Sequence, residues 1–155
     1  MEGYAKKFGE DVERWRITGL LHDMDYEKHP TKKEHPFVGV GVLRANGYPE
    51  EILQAILGHA EYSGVPRKTL LAKTLFAVDE LAGFITAVAY VRPTKLVGMK
   101  VKSVRKKLKD KAFAAAVSRS DIDKGAAELG LDLSVHIQNV IGAMEARAER
   151  LGLAR

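Results

Sequence analysis

The sequence contains no cysteine. Disulfide staples and thiolate ligands are excluded together, so any metal the chain holds must be bound through nitrogen and oxygen. Glutamine and asparagine are scarce (Gln54, Gln138, Asn46, Asn139), a bias that with the missing cysteine leans towards a heat-adapted source. No apolar signal-peptide core opens the chain, whose first residues include Glu2, Lys6, Lys7, Glu10 and Asp11, and a cytoplasmic protein is the expectation. Neither a P-loop nor a dinucleotide-binding glycine pattern occurs, which disfavours ATP-driven chemistry. Strict apolar/polar alternation nowhere persists over a strand length, and no repeat or linker divides the chain.

Only one apolar run has the length to span a bilayer. It extends from Leu70 to Val91 but carries Lys73 and, near its middle, Asp79 and Glu80. A carboxylate at the centre of a membrane helix costs about 2.5–3.5 kcal/mol, so the run reads as a buried central helix bearing a functional acid, and no membrane partner is expected.

What is present reads as helix after helix. At 155 residues the chain has the size of one ordinary domain, 1–155, able to bury roughly 68–70% of the surface its unfolded form exposes. Val12, Trp15, Ile17 and Leu20-Leu21 form a helical stripe that ends at His22-Asp23. Tyr26 to Pro36, with two prolines and alternating charges, reads as a loop. His35-Pro36 opens a further helix reaching Asn46-Gly47, and Pro49 opens another through Ile52, Ile56 and His59. Thr69 can cap the central helix, which Arg92-Pro93 ends. Short helices are expected over Val101 to Lys107 and Lys111 to Val117, then one from Asp121 to Leu129 capped by Ser120, and a last one capped by Ser134 and ending at Leu151-Gly152. The fold class is all-α, with a metal-site half at about 12–93 and basic and C-terminal helices at about 95–153.

The net charge of +5 is unevenly placed. Between Lys95 and Lys111 eight cations face one acid, Asp110, so this segment carries +7 and the rest of the chain −2. Such a segment is either a solvated helix face or a contact for phosphate or nucleic acid. No aromatic residue interleaves the lysines, which argues against base stacking there.

Imidazoles and carboxylates recur on the expected helices: His22-Asp23, His35, His59 and Asp79. Each has a bland alternative. His22-Asp23 can be a helix cap, His35 a helix-start residue and His59 a satisfied core histidine. Asp79 is harder to dismiss, because Leu75, Ala82 and Gly83 share its helical face and a carboxylate among them needs a cation, a metal or several donors. Glu80 stands behind it at most. His29, in the charged loop, and His136, near the start of the last helix, read as solvent-exposed and are excluded.

The segments Gly19-Leu-Leu-His22-Asp23-Met-Asp25, His35-Pro36, Ala55-Ile-Leu-Gly-His59-Ala60 and Leu75-Phe-Ala-Val-Asp79-Glu80 resemble the HD-domain superfamily of metal-dependent phosphohydrolases, and within it the small, stand-alone HDIG-type proteins. The resemblance implies a helical bundle of the HD type. His22, Asp23 and Asp79 match its metal ligands, and His35 and His59 match the added histidines of members with a second metal. One or two divalent ions (Fe, Mn, Zn, Mg or Ni) are implied, with a small phosphate-containing substrate. Arg92 and Lys95 are candidates for its phosphate, an oligomer is compatible, and nucleic acid is a weaker alternative partner.

Two departures qualify the match. Asp25 stands where HDIG has glycine, adding an acid near the site. The first histidine of the family belongs upstream of the His-Asp pair, and residues 1–21 contain none, so the chain is expected to begin inside or just after that helix. A non-catalytic nucleotide-binding sensor module is therefore the alternative to a phosphohydrolase of nucleotides or other small phosphate esters.

Overall fold

The computed structural model describes all 155 residues and contains helices only, as the absence of strand patterning predicts. Two compact units form, Met1–Phe76 and Ala77–Arg155. No helix is long and apolar enough to cross a membrane.

The first unit begins with α1 (Glu2–Phe8), a short helix that the sequence pattern does not announce. Gly9 closes it at φ 71, a left-handed conformation that glycine adopts without steric cost. Asp11 then caps α2 (Val12–Leu21), accepting from the Arg14 amide at 3.0 Å. Tyr4, Phe8 and Trp15 link α1 to α2 through successive ring contacts of 5.4 and 6.1 Å. Turns cover residues 22–28 and 31–36, and α3 (Phe37–Ala45) and α4 (Glu50–His59) follow and pack against each other. Val40 and Leu43 of α3 and Ile52, Leu53 and Ile56 of α4 are buried, because these apolar side chains recur every three or four residues on one face of each helix.

After a 3-10 turn at Glu61–Ser63 comes α5 (Leu70–Tyr90). Thr69 accepts from the Ala72 amide at 3.2 Å, the cap expected of it. Leu71, Ala72, Leu75 and Phe76 of α5 are buried in the first unit's share of the chain, and Leu81, Phe84, Ile85 and Val88 in the second's. The second unit continues with α6 (Val101–Leu108), α7 (Arg119–Glu128) and α8 (Leu133–Glu145), buried through Val104, Ile122, Ala126, Ile137 and Ile141. Gly125 is required where α7 meets α5: a Cβ there would lie 2.6 Å from the Ala77 Cα.

Several expectations are corrected in the second unit. Lys111 to Val117 is a run of turns, not a helix. Asp110 captures the Ala112 and Phe113 amides, Ala114 takes φ 45, and the Arg119 guanidinium collects the carbonyls of Asp110, Phe113, Ala114 and Val117, which a helix would need for its own ladder. Ser118, rather than Ser120, caps α7, accepting from Asp121. Asp132, rather than Ser134, caps α8, whose helix stops at Glu145 and passes into turns before Leu151-Gly152. His136 is fully buried, its Nε2 2.8 Å from the Ala77 carbonyl, and not exposed as its position in the sequence suggests.

Candidate metal centre

Four of the five candidate ligands meet in the first unit. α2 delivers His22 at its C-terminal end and Asp23 just beyond it; the turn before α3 delivers His35; the last residue of α4 is His59. The rings of His22 and His59 lie edge to face with centroids 5.1 Å apart, and those of His35 and His59 5.2 Å apart.

In each imidazole, Nδ1 is tied down. His22 Nδ1 lies 2.8 Å from the Gly19 carbonyl, His59 Nδ1 2.5 Å from the Ile56 carbonyl, and His35 Nδ1 2.7 Å from Asp25 Oδ1. Carbonyl and carboxylate oxygens only accept, so Nδ1 of all three rings carries the proton and donates. Nε2 of a neutral ring then presents a lone pair. Those lone pairs turn towards Asp23: His22 Nε2 is 3.3 Å from Oδ2, and His35 and His59 Nε2 are 3.4 and 3.5 Å from Oδ1. The His35 and His59 Nε2 atoms themselves stand 3.3 Å apart. Lone pairs and carboxylate oxygens crowded in this way need positive charge among them, as protons or as a metal ion.

The donor set fits a divalent ion. Asp23, His35 and His59 each offer one ligand atom within 4.8 Å of the others. Neutral imidazole nitrogen with carboxylate oxygen suits Zn, Fe, Mn or Ni. His35 and His59 are buried while half of the Asp23 side chain remains exposed, so the cluster opens to solvent on the Asp23 side. Where protons supply that charge, His22 and then His59 donate through Nε2 and hold the Asp23 carboxyl well below the usual carboxylate range, against the opposing effect of burial.

Asp25 has a role that ligand spacing alone does not assign. Its buried carboxylate receives His35 Nδ1 through Oδ1 and the Gly39 amide through Oδ2, both at 2.7 Å. Such a partner fixes the tautomer and orientation of a metal-binding histidine. The acid is visible in His-Asp-Met-Asp; its partner Gly39 is not legible beforehand, since only the folded turn brings α3 against it. A Cβ on Gly39 would stand 2.9 Å from the Asp25 Cγ.

The HD domain family matches residues 1–83, over half of the chain. The chain belongs to the HD-domain family. HD domains are typically metal-dependent phosphohydrolases that bind divalent ions, in keeping with the His/Asp cluster. Among curated proteins the chain is similar to Ribonuclease Y of Nitratidesulfovibrio vulgaris (31% identity), of Oleidesulfovibrio alaskensis (34%) and of Lawsonia intracellularis (34%), each over 80 residues. That stretch is 51% of this chain, which spans only 15% of the length of those relatives. No solved structure matches the chain.

The remaining candidates lie in the second unit. Asp79 is half-buried on α5, three residues past Phe76. Arg92 spends its guanidinium on the Lys95 and Val97 carbonyls and the Thr94 hydroxyl, and Lys95 donates to the Gly152 carbonyl at 2.8 Å. Both cations thus brace the loop after α5. Glu80 accepts from the Ser118 amide, and burial raises its carboxyl above the ordinary value.

Proposed function

We propose that this HD domain is a metal-dependent phosphohydrolase acting on a nucleotide or another small phosphate ester. The observation that carries the reading is the set of three imidazoles with every Nδ1 committed and every Nε2 turned on Asp23. His22 and Asp23 would hold a first ion, and His35 and His59 would serve a second. A divalent ion held there would make hydroxide available from water near neutral pH and would help neutralise charge on the phosphoryl oxygens.

The chain's own residues do the rest. Asp25 keeps the His35 lone pair aimed into the cluster, and the Gly19 and Ile56 carbonyls do the same for His22 and His59. Burial of His35 and His59 keeps bulk water from one side, which strengthens the attraction of their lone pairs for a cation. The relatives' name, Ribonuclease Y, makes ribonucleotide phosphodiesters the first substrates to try.

Purified protein supplied with Mn²⁺ or Fe²⁺ is expected to bind the ion and to hydrolyse members of a panel of phosphomonoesters and phosphodiesters, with turnover lost in Asp23→Ala. Absence of both metal binding and hydrolysis would sink the enzymatic reading. Stabilisation by nucleotide alone, without metal or turnover, would replace it with a sensor module.

A further inference from the structure

Two half-exposed tyrosines border the imidazole cluster without joining it. Tyr26, 51% exposed, sets its ring edge to face with His35, the centroids 5.1 Å apart. Tyr62, 44% exposed, donates its hydroxyl to the His35 carbonyl at 3.0 Å, which pins the ring beside the cluster. Burial first, then the proximity of Tyr26, Asp25 and Asp23, raises the Tyr62 phenol above its ordinary value, so the hydroxyl remains a donor. The Lys32 ammonium lies 5.5 Å from the Tyr62 ring centroid, near the outer reach of a cation–π contact, on an exposed loop that also carries Lys28 and Lys33.

Aromatic rings held open to solvent beside a cluster suited to phosphate chemistry, with a loosely held ammonium next to them, suit a ligand that is planar at one end and anionic at the other. We infer that Tyr26 and Tyr62 form a base-stacking platform and that Lys32 swings from the Tyr62 ring onto phosphate, so that the ligand is a nucleotide unit rather than a sugar phosphate or aliphatic ester. Every base has a π-face, so the platform grips nucleobases without choosing among them. This rests on the phosphohydrolase reading of the cluster and narrows its substrate class.

The test compares adenosine monophosphate with ribose phosphate, which differ only in the base, by titration calorimetry of the full chain with Mn²⁺ present. The wild type is expected to bind the nucleotide more tightly. Tyr62→Ala should weaken the nucleotide by about 5- to 150-fold, the range of base–aromatic stacking, and leave ribose phosphate unchanged. Tyr62→Phe, which keeps the ring and loses only the hydroxyl, should stay near wild type and guards against a folding defect in the alanine variant. Lys32→Gln should weaken both ligands alike. Equal affinity of wild type for the two ligands, binding of neither, or an equal loss of both in Tyr62→Ala overturns the platform. A separate Mn²⁺ titration keeps the two readings apart: protein that binds Mn²⁺ yet ignores the base loses only the platform, whereas protein that prefers the nucleotide but binds no Mn²⁺ loses only the metal reading.

Discussion

Asp25 shows how much can hang on one carboxylate outside a ligand set. It satisfies two buried donors, His35 Nδ1 and the Gly39 amide. Asp25→Ala is expected to lower Mn²⁺ affinity by about 10- to 100-fold, the usual consequence of removing a histidine's orienting partner. It should also cost about 1–3 kcal/mol of stability for the donors left unsatisfied, read by titration calorimetry and urea unfolding on the same protein. A variant that keeps full affinity would separate Asp25 from metal binding. Gly39→Ala tests the same contact from the other side. Its Cβ would press on the Asp25 carboxyl at 2.9 Å, where the buried side chain has little room to retreat. A loss of about 1–3 kcal/mol is expected, accompanied by weaker Mn²⁺ binding.

At the scale of elements, the caps and close approaches decide where helices start and how near they come. Ser118→Ala should destabilise by about 1 kcal/mol through the lost cap of α7, whereas Ser120→Ala, one residue into the helix and exposed, should stay within about 0.5 kcal/mol of wild type. Equal effects in urea unfolding would contradict the assignment of the cap. Gly125→Ala would drive a methyl against the backbone of α5 at Ala77, not against a yielding side-chain end. About 1–3 kcal/mol of destabilisation is expected, with the helices displaced and circular dichroism at native conditions little changed.

For the molecule as a whole, ion binding and proton binding both feed into stability. At free Mn²⁺ about a hundredfold above its dissociation constant the folded state should gain about 2.7 kcal/mol, seen as a raised thermal midpoint that a chelator abolishes and His59→Ala does not show. His136 predicts a pH dependence in metal-free protein. Burial lowers its pKa below the ordinary 6.5, against the opposing hydrogen bond to Ala77, so between that lowered value and 6.5 the unfolded chain binds more protons than the folded one. Stability is therefore complete above about 6.5 and declines as pH falls through that window. Urea midpoints measured across it should fall with pH in wild type, and less steeply in His136→Gln.

Most of the helices are legible in the sequence. The stripe into His22, the prolines before α3 and α4, and Thr69 before α5 are local signals, and their elements start within a residue or two of where those signals put them. The same locality explains the failures. The turns at 111–117 arise because Arg119 reaches back for four carbonyls, and α1 is held by aromatic contacts with α2. Neither cause is visible in a window of neighbours.

Fold class and the chemical type of the site both follow from residue order and composition. Helical periodicity with no alternating strands leaves only helices, and nitrogen and oxygen ligands without a thiol restrict which ions can bind. Tertiary structure alone decided which ring nitrogens face inward, that Asp25 and Gly39 lock His35, that His136 is buried, and that Tyr26 and Tyr62 stand at the cluster's border. Hydrogen-bond partners and burial depend on segments distant in the chain coming within a few ångströms, and residue spacing carries no record of that.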